Sequence, residues 1–295
     1  MFRLAYNTNG LSHHRILDAL RLLHDLGYQG VAIAPDVSCL DPFHPRAGEV
    51  DSVRSLAVDL GLSLAVETGA RFLLDARRKH RPTLLEEGAA DRARRADFLR
   101  WSIDLAGELD AGLVSLWSGA SPSGIRADAP DSDLDDDPRE RERLWDRLCA
   151  EMRPLLRHAS ERGVRLAFEP EPGMFVERPA GYDELVRRLG DDGESLGLCL
   201  DVGHLLVTGD VPVGDVIRRC ASRLIHVHLD DIAGGLHEHR MFGEGDLDLA
   251  EVLEALTEVD YTGLAAVELS RDAHRGAQAA EEAMGHLRRA LPPSA

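Results

Sequence analysis

The sequence predicts an α/β protein that folds as a single (β/α)8 TIM barrel domain over residues 1–295. Eight short apolar runs alternate with longer segments in which apolar residues recur at helical spacing, which is typical of a parallel sheet. The length suits eight strand–helix units in one closed barrel. Neither GxGxxG nor GxxxxGK[ST] follows the first strand, although open nucleotide-binding sheets usually carry one of them there.

The first four units each combine a short apolar strand with a longer helix. Strands that are apolar throughout are typical of parallel sheets covered on both faces. Ser12 is the expected N-cap of the first helix, and Gly27 and Gly61 are the expected ends of the first two helices. The predicted strands are 2–6, 30–34, 62–66 and 112–116. The predicted helices are one that follows Ser12 and ends at Gly27, then 49–60, 91–109 and one that ends at 162.

The last four units repeat the same alternation. The acidic stretch 131–137 stands before them among Pro, Ser and Gly residues, and this composition predicts a solvated loop. The predicted strands are 166–168, 196–200, 224–227 and 264–267, and the predicted helices are 182–189, 213–221, 249–259 and 274–291.

Each of the last four strands is followed at once by a side chain that can bind a metal. These side chains are Glu169, Asp201, His228 and Glu268. Because the C-terminal ends of barrel strands converge around one axis, residues from successive strands can reach one ion. Taken singly, each is more often a hydrogen-bond acceptor of a loop or a satisfied core group. Four of them in consecutive strands favour a shared metal site.

The composition of this set predicts both the ion and the chemistry. Three carboxylates and one imidazole suit one divalent ion, Mn²⁺, Mg²⁺ or Co²⁺, with Zn²⁺ also allowed. Such an ion can chelate a carbonyl oxygen and a neighbouring hydroxyl oxygen, and can stabilise an enediolate. Glu169 and Glu268 are the predicted acid/base pair, since proton transfer needs a carboxylate near each face of the reacting carbon. The predicted substrate contacts are His204, His239 and Arg240.

This chemistry predicts a metal-dependent isomerase or epimerase of a small sugar, sugar phosphate or cyclitol. A dehydratase that acts on a hydroxy-ketone through the same enediolate is the alternative. The basic segment 71–81 follows the third strand, on the same side as the four ligands. It is either solvated surface or a site for a phosphate or carboxylate of the substrate. The sequence leaves this question open, and also whether the chain forms a homo-oligomer.

The net charge and the cysteines limit which partners and which cellular compartment we expect. A formal net charge of −18 disfavours nucleic acid and membrane surfaces, which are anionic. The four cysteines form no CxxC pair and are expected to be reduced thiols. With no secretory signal or long apolar span, we expect a cytoplasmic protein with a small-molecule polyol, ketose or cyclitol as its partner.

Five short motifs together resemble the xylose isomerase-like TIM barrel superfamily, and within it the sugar phosphate isomerase/epimerase group. The motifs are Phe-Glu-Pro at 168–170, Asp-Val-Gly-His at 201–204, His-Val-His-Leu-Asp-Asp at 226–231, Gly-Glu-Gly-Asp-Leu-Asp at 243–248 and Val-Glu at 267–268. The resemblance implies a Glu–Asp–His–Glu metal site in which the two glutamates move the proton. It carries over to Glu169, Asp201, His228 and Glu268, with His204 as a substrate contact.

The superfamily also contains AP endonucleases, which use three zinc ions. His237 and His239 stand where that branch carries extra zinc ligands. The branch also draws histidines from the ends of earlier strands, where this chain has Glu67-Thr68 and Trp117-Ser118. The resemblance therefore disfavours a trinuclear site and an activity on DNA.

Overall fold

A computed structural model describes residues 1–127 and 137–291 of the chain. The predicted acidic loop lies mostly outside these ranges, since residues 131–136 are not described. Asp137 is described, and its side chain accepts a hydrogen bond from the backbone N–H of Arg139 at the start of a helix. The last residue of the acidic stretch is therefore a helix N-cap, a role that Asp serves well.

The strands are parallel and close into a barrel in chain order, so the predicted (β/α)8 TIM barrel is confirmed. Each strand pairs with the next, and the first pairs with the last, where Tyr6 is in register with Val267. Closure leaves no strand edge unpaired. The strands are β1 Arg3–Asn7, β2 Gly30–Ile33, β3 Ser63–Glu67, β4 Leu113–Leu116, β5 Arg165–Phe168, β6 Leu196–Asp201, β7 Leu224–Leu229 and β8 Leu264–Val267.

Helices follow the strands around the outside of the barrel. The described helices are α1 Ile16–Leu26, α2 Glu49–Leu60, α3 Ala89–Glu108, α4 Pro138–Arg162, α5 Pro179–Leu189, α6 Val202–Thr208, α7 Val213–Cys220, α8 Leu249–Glu258 and α9 Gly276–Ala290. The short α6 was not predicted, and it starts directly after β6. Within the described ranges, no helix combines the length and the apolar character needed to cross a membrane.

The ends of the helices show which local signals are reliable. Gly61 ends α2 in the left-handed conformation (φ 67°), as glycine at this position commonly does. The prediction that Ser12 caps α1 is wrong, because α1 begins at Ile16 and Arg15 is its N-cap residue. Ser12 instead ends a short 3-10 turn, Thr8–Leu11, that follows β1. A serine is equally at home in a turn, and the turn after β1 decides its place here.

Small side chains fill the inside of the barrel below its mouth. Five of the buried residues in this cluster are alanines, which we call the alanine layer: Ala5, Ala32, Ala65, Ala167 and Ala266. Side chains of a strand alternate between its two faces, so residues two positions further on point to the same interior. The residues that follow this layer toward the mouth are therefore directed at the barrel axis.

Candidate metal centre

Four strands deliver the predicted ligands to the mouth of the barrel. Asp201 is the last residue of β6 and is in register with His228 of β7. Glu169 follows β5, and its backbone N–H donates to Leu116 at 2.8 Å. Glu268 follows β8, and its backbone N–H donates to the carbonyl of Leu229 in the neighbouring strand β7 at 2.9 Å. The strand pairing of the barrel thus continues through every position at which a ligand was predicted.

The four side chains meet around a common point. One ligand atom from each of Glu169, Asp201, His228 and Glu268 lies within 4.8 Å of all the others. Nδ1 of His228 lies 3.0 Å from the Glu169 carboxylate, 3.1 Å from that of Glu268 and 3.9 Å from that of Asp201. Ligand atoms of a single ion are separated by distances of this size. The geometry therefore agrees with the predicted set, whose role in binding a metal stays a prediction.

Asp201 offers a second test of whether the site fits a cation. Its Oδ1 accepts a hydrogen bond of 2.9 Å from the backbone N–H of His204 and caps α6. Its Oδ2 is buried and has no hydrogen-bond partner among the described residues. A buried carboxylate oxygen without a partner is costly. A divalent ion between the four side chains would satisfy it, so the residues present fit such an ion.

The ionisation of the site reflects the crowding of its acids. Burial raises the pKa of Glu169 to about 7, although His228 opposes this shift. Burial alone would lower the pKa of His228, but the surrounding acidic groups, Cys199 and Glu169 first among them, raise it well above its usual value. Buried carboxylates in contact with one another favour a positive charge between them. A protonated imidazole supplies that charge in the protein alone, and a metal ion would supply it more strongly.

Glu67 is a member of this site that sequence reasoning missed. Its Oε1 accepts hydrogen bonds from Nε2 of His226 at 2.9 Å and from Nε2 of His228 at 3.1 Å. Burial raises the pKa of Glu67, but the two imidazoles outweigh it and lower the pKa below the usual range. This contact leaves Nδ1 of His228 free to face the other carboxylates. A carboxylate behind a ligating imidazole commonly fixes its orientation in metal sites.

Signals for the missed residues were present in the sequence. Glu67 ends the apolar run of β3 just as the predicted ligands end or follow theirs. His226 stands two residues before His228, so both point into the barrel. Neither signal says which strands face each other across the barrel, and that relation decides the contact.

Three histidines form a second cluster beside the four ligands. Nε2 of His204 lies 3.0 Å from Nε2 of His237, and one ring nitrogen from each of His204, His237 and His239 lies within 4.8 Å of the others. Burial lowers the pKa of His204 to about 3. Burial also acts to lower the pKa of His239, but Asp230, whose carboxylate lies 2.6 Å from Nδ1, raises it to about 10.

The predicted substrate contacts differ in how the structure places them. His204 and His239 line the cavity above the four ligands. Arg240 is not among the residues that line it, and its guanidinium lies 3.0 Å from the Glu238 carboxylate. The substrate contact by Arg240 therefore stays a prediction that the cavity geometry does not favour.

Two motif glycines are explained by close contacts near the site. A Cβ at Gly203 would lie 2.2 Å from Oδ1 of Asp230, and one at Gly245 would lie 2.3 Å from Oδ1 of Asp231. The Asp231 carboxylate accepts backbone N–H groups at both ends of the loop that follows β7, from Ile232 at 2.9 Å and from Leu247 at 2.9 Å. These glycines let the loop close tightly over β7, which brings His237 and His239 over the barrel mouth.

One cavity of about 410 Å³ opens above the ligands. Its wall includes Asn9, whose side-chain amide donates a hydrogen bond of 2.7 Å to Glu268. Its rim includes cationic side chains of the predicted basic segment, among them Arg71 and Lys79. A cavity of this volume holds a small ligand.

Comparison with known proteins assigns the fold to a family. A model of the xylose isomerase-like TIM barrel family matches residues 20–290. The chain is 29% identical over 166 residues to the rhizopine catabolism protein MocC of Rhizobium meliloti, covering 50% of each protein. It is 28% identical over 156 residues to the inosose dehydratase of Lacticaseibacillus casei, covering 47% of this chain and 51% of that one. The alignment thus spans about half the length of these curated relatives.

Solved structures of low sequence identity share the fold over nearly the whole chain. The 3-keto-D-glucoside 4-epimerase from E. coli superposes with a TM-score of 0.77 at 16% identity, covering 98% of this chain and 100% of that one. A D-psicose 3-epimerase, solved in the presence of D-fructose, superposes with a TM-score of 0.73 at 18% identity, covering 98% of this chain and 99% of that one. At such identities the likeness shows the architecture.

Proposed function

Because this chain belongs to the xylose isomerase-like TIM barrel family, we propose that it is a divalent-metal-dependent isomerase or epimerase of a small sugar, sugar phosphate or cyclitol. The observation that carries this proposal is the meeting of Glu169, Asp201, His228 and Glu268 within 4.8 Å of one another at the mouth of the barrel. The names of the structural neighbours, which are sugar epimerases, support the reaction class.

The proposed roles follow from the contacts of each side chain. The four residues would hold the ion, with Glu67 fixing the ring of His228. When bound, the ion supplies Lewis-acid chemistry, which acidifies the hydrogen on the carbon beside a carbonyl. Glu169 and Glu268 are the proposed base and acid for that hydrogen, since both carboxylates border the cavity.

The two glutamates have different surroundings, as expected for a pair in which one acts as the base and the other as the acid. Asn9 donates to Oε1 of Glu268 at 2.7 Å, and this contact holds one oxygen while the other faces His228 at 3.1 Å. Among the described residues, Glu169 has no such amide contact, and it faces Nδ1 of His228 at 3.0 Å. His204, which is buried in the cavity wall, is the proposed contact for a substrate oxygen.

A dehydratase is the second proposal, and two observations favour it. One is the 28% identity to an inosose dehydratase. The other is the close approach of His239 to Asp230, 2.6 Å apart, because this pair of groups can hold a proton at the cavity wall. Loss of a hydroxyl group as water requires a proton donor beside the leaving oxygen.

The test is solvent exchange. We expect the protein, supplied with Mn²⁺ in D₂O, to incorporate deuterium into a ketose or cyclitol from a panel of neutral and phosphorylated sugars. The Glu268→Gln variant is expected to slow this exchange by a factor on the order of 100 or more, because general acid–base groups contribute about 10² to 10⁴. Deuterium incorporation is read by mass spectrometry, and a product lighter by one water identifies the dehydratase.

The matched control is Glu254→Gln, which makes the same chemical change at an exposed position on α8. It should exchange at the rate of the parent. If Glu268→Gln also exchanges at that rate, the assignment of Glu268 to proton transfer is wrong.

A further inference from the structure

Three cationic side chains line the cavity. Arg71 and Lys79 belong to the loop between β3 and α3, and Arg271 belongs to the turn after β8. Among the described residues, neither the Arg71 nor the Lys79 side chain makes an ion pair with a carboxylate. Both side chains line the cavity, Arg71 half-buried and Lys79 exposed at the rim. Their charges are therefore available to a ligand that enters the cavity.

Lys79 is the only lysine in the chain. Every other basic side chain that is not a histidine is an arginine. An arginine would satisfy any requirement for positive charge on the surface, as it does elsewhere in this protein. An ammonium group differs from a guanidinium in being a compact point charge with three rotatable donors. Lys79 places such a charge at the rim of the cavity.

The cations of this rim act on one another. Burial lowers the pKa of Lys79, and the charges of Arg71 and Arg271 lower it further, while Glu171 opposes them. Like charges this close repel, and an anion between them would remove the repulsion. Arg271 also lies 3.4 Å from the Glu238 carboxylate, so its charge is partly paired and it contributes less than the other two.

A buried cation stands behind the same wall. Arg95 is only 1% exposed, and its guanidinium lies 4.3 Å from the ring of Trp117, which lines the cavity. Nη2 donates to the carbonyl of Thr68 at 2.8 Å, and Nη1 has no hydrogen-bond partner among the described residues. No carboxylate of the described residues forms an ion pair with it, so its charge adds to the positive field behind Trp117.

From these observations we propose that Arg71 and Lys79, assisted by Arg271, form an anion subsite that holds a carboxylate or phosphate group of the substrate. The carboxylates of the metal site line the same cavity, so it offers groups of both charges to a substrate. A substrate with a polyol end and an anionic end would contact the metal site with one end and these cations with the other. This inference rests on the proposed function for the identity of the polyol end, and it narrows the substrate to a sugar acid or a sugar phosphate.

The single lysine makes the subsite directly observable. Reductive methylation with ¹³C-formaldehyde labels Lys79 and the amino terminus, and the methylated amine keeps its charge. The protein is freed of metal with EDTA and then dialysed against metal-free buffer, so that neither a metal nor the chelator binds the probe. Inorganic phosphate and acetate are titrated separately at constant ionic strength while the two ¹³C signals are followed by NMR.

We expect the Lys79 signal to shift and saturate, while the signal of the amino terminus stays in place. Arg71→Gln should weaken the binding of the better anion at least tenfold. The matched control is Arg77→Gln, which removes a charge from the same loop at an exposed position that does not line the cavity. It should bind the anion as the parent does. The preferred anion then identifies the group: phosphate indicates a sugar phosphate, and acetate indicates a sugar acid.

A Lys79 signal that does not saturate with either anion overturns the proposal, and so does an equal effect of the two arginine variants. The result is separate from that of the deuterium exchange. Anion binding without exchange would retain the subsite and reject the proposed function. Exchange of neutral ketoses by a protein that binds no anion would retain the proposed function and reject the subsite.

Discussion

The lower interior of the barrel and its mouth are built by the same strands, two residues apart, and yet they have opposite character. Ala65, Ala167 and Ala266 belong to the alanine layer, and Glu67, Glu169 and Glu268 stand two positions further along the same strands. The alternation of a strand sends both members of each pair into the barrel. The volume available therefore determines which side chains fit the alanine layer, and charge determines which side chains suit the mouth.

The comparison explains how the barrel accommodates buried polar groups above an apolar layer. Alanines occupy little volume, so the barrel interior has room for the buried imidazole of His226, which is 0% exposed and bonded to Glu67. A layer of larger aliphatic side chains would compete for that space. The polar groups at the mouth thus require the small side chains of the alanine layer below them. Substitutions in the alanine layer should change the free energy of unfolding, and substitutions among the polar groups should change the affinity for a metal.

The largest effect is expected at the mouth, from Asp201→Asn. The change removes one charge from the ligand set but keeps a side chain that caps α6, because Asn and Asp are equally good N-caps. We expect the affinity for Mn²⁺ to fall by more than about 100-fold, beyond what residues behind the ligands contribute. The free energy of unfolding of the metal-free protein should also fall, because burial raises the pKa of Asp201 but nearby imidazoles outweigh it and lower the pKa. Calorimetric titration and urea unfolding measure the two quantities.

The control for this variant is Asp248→Asn. Asp248 caps α8 by accepting the N–H of Glu251 at 3.0 Å, outside the cluster of predicted ligands. Its variant should keep the parent affinity for Mn²⁺. Equal metal affinities of the two variants would remove Asp201 from the proposed ligand set.

An intermediate effect is expected in the alanine layer, from Ala167→Val. Two extra methyl groups at a position that is 0% exposed should destabilise the fold by about 2 kcal/mol, within the usual range for overpacking. Urea unfolding measures this change, and Ala76→Val, at an exposed loop position, should leave the stability unaltered. A variant as stable as the parent would show that the alanine layer has free volume and is not closely packed.

The smallest effect is expected between the two levels, from Glu67→Gln. An amide is a weaker acceptor than a carboxylate for the N–H groups of His226 and His228, so the ligating ring is held less firmly. We expect the affinity for Mn²⁺ to fall about tenfold, at the lower end of the range for such supporting residues.

Asp104→Asn is the matched control for this variant. Asp104 pairs with His158 at 2.9 Å between helices α3 and α4, away from the barrel interior, and its variant should not alter the affinity. A normal affinity of Glu67→Gln would mean that packing alone orients His228.

Local pattern was enough to predict the barrel and the four side chains at its mouth. The apolar runs that end at Glu169, Asp201, His228 and Glu268 each place one polar residue at a strand end, and this information lies within a few neighbouring residues. Where a local signal fits two structures, as serine fits both a turn and an N-cap, the tertiary context decides, and Ser12 was assigned to the wrong one.

The tertiary structure alone decided which residues meet across the barrel. Glu67 and His226 are 159 residues apart in the chain, and their hydrogen bond exists because the ring of strands closes and directs both inward. The same closure places Arg71 and Lys79 on the wall of the cavity that holds the predicted ligands. Periodicity in a sequence records the face on which a side chain lies, whereas the partner on the far side is fixed only by the geometry of the closed sheet.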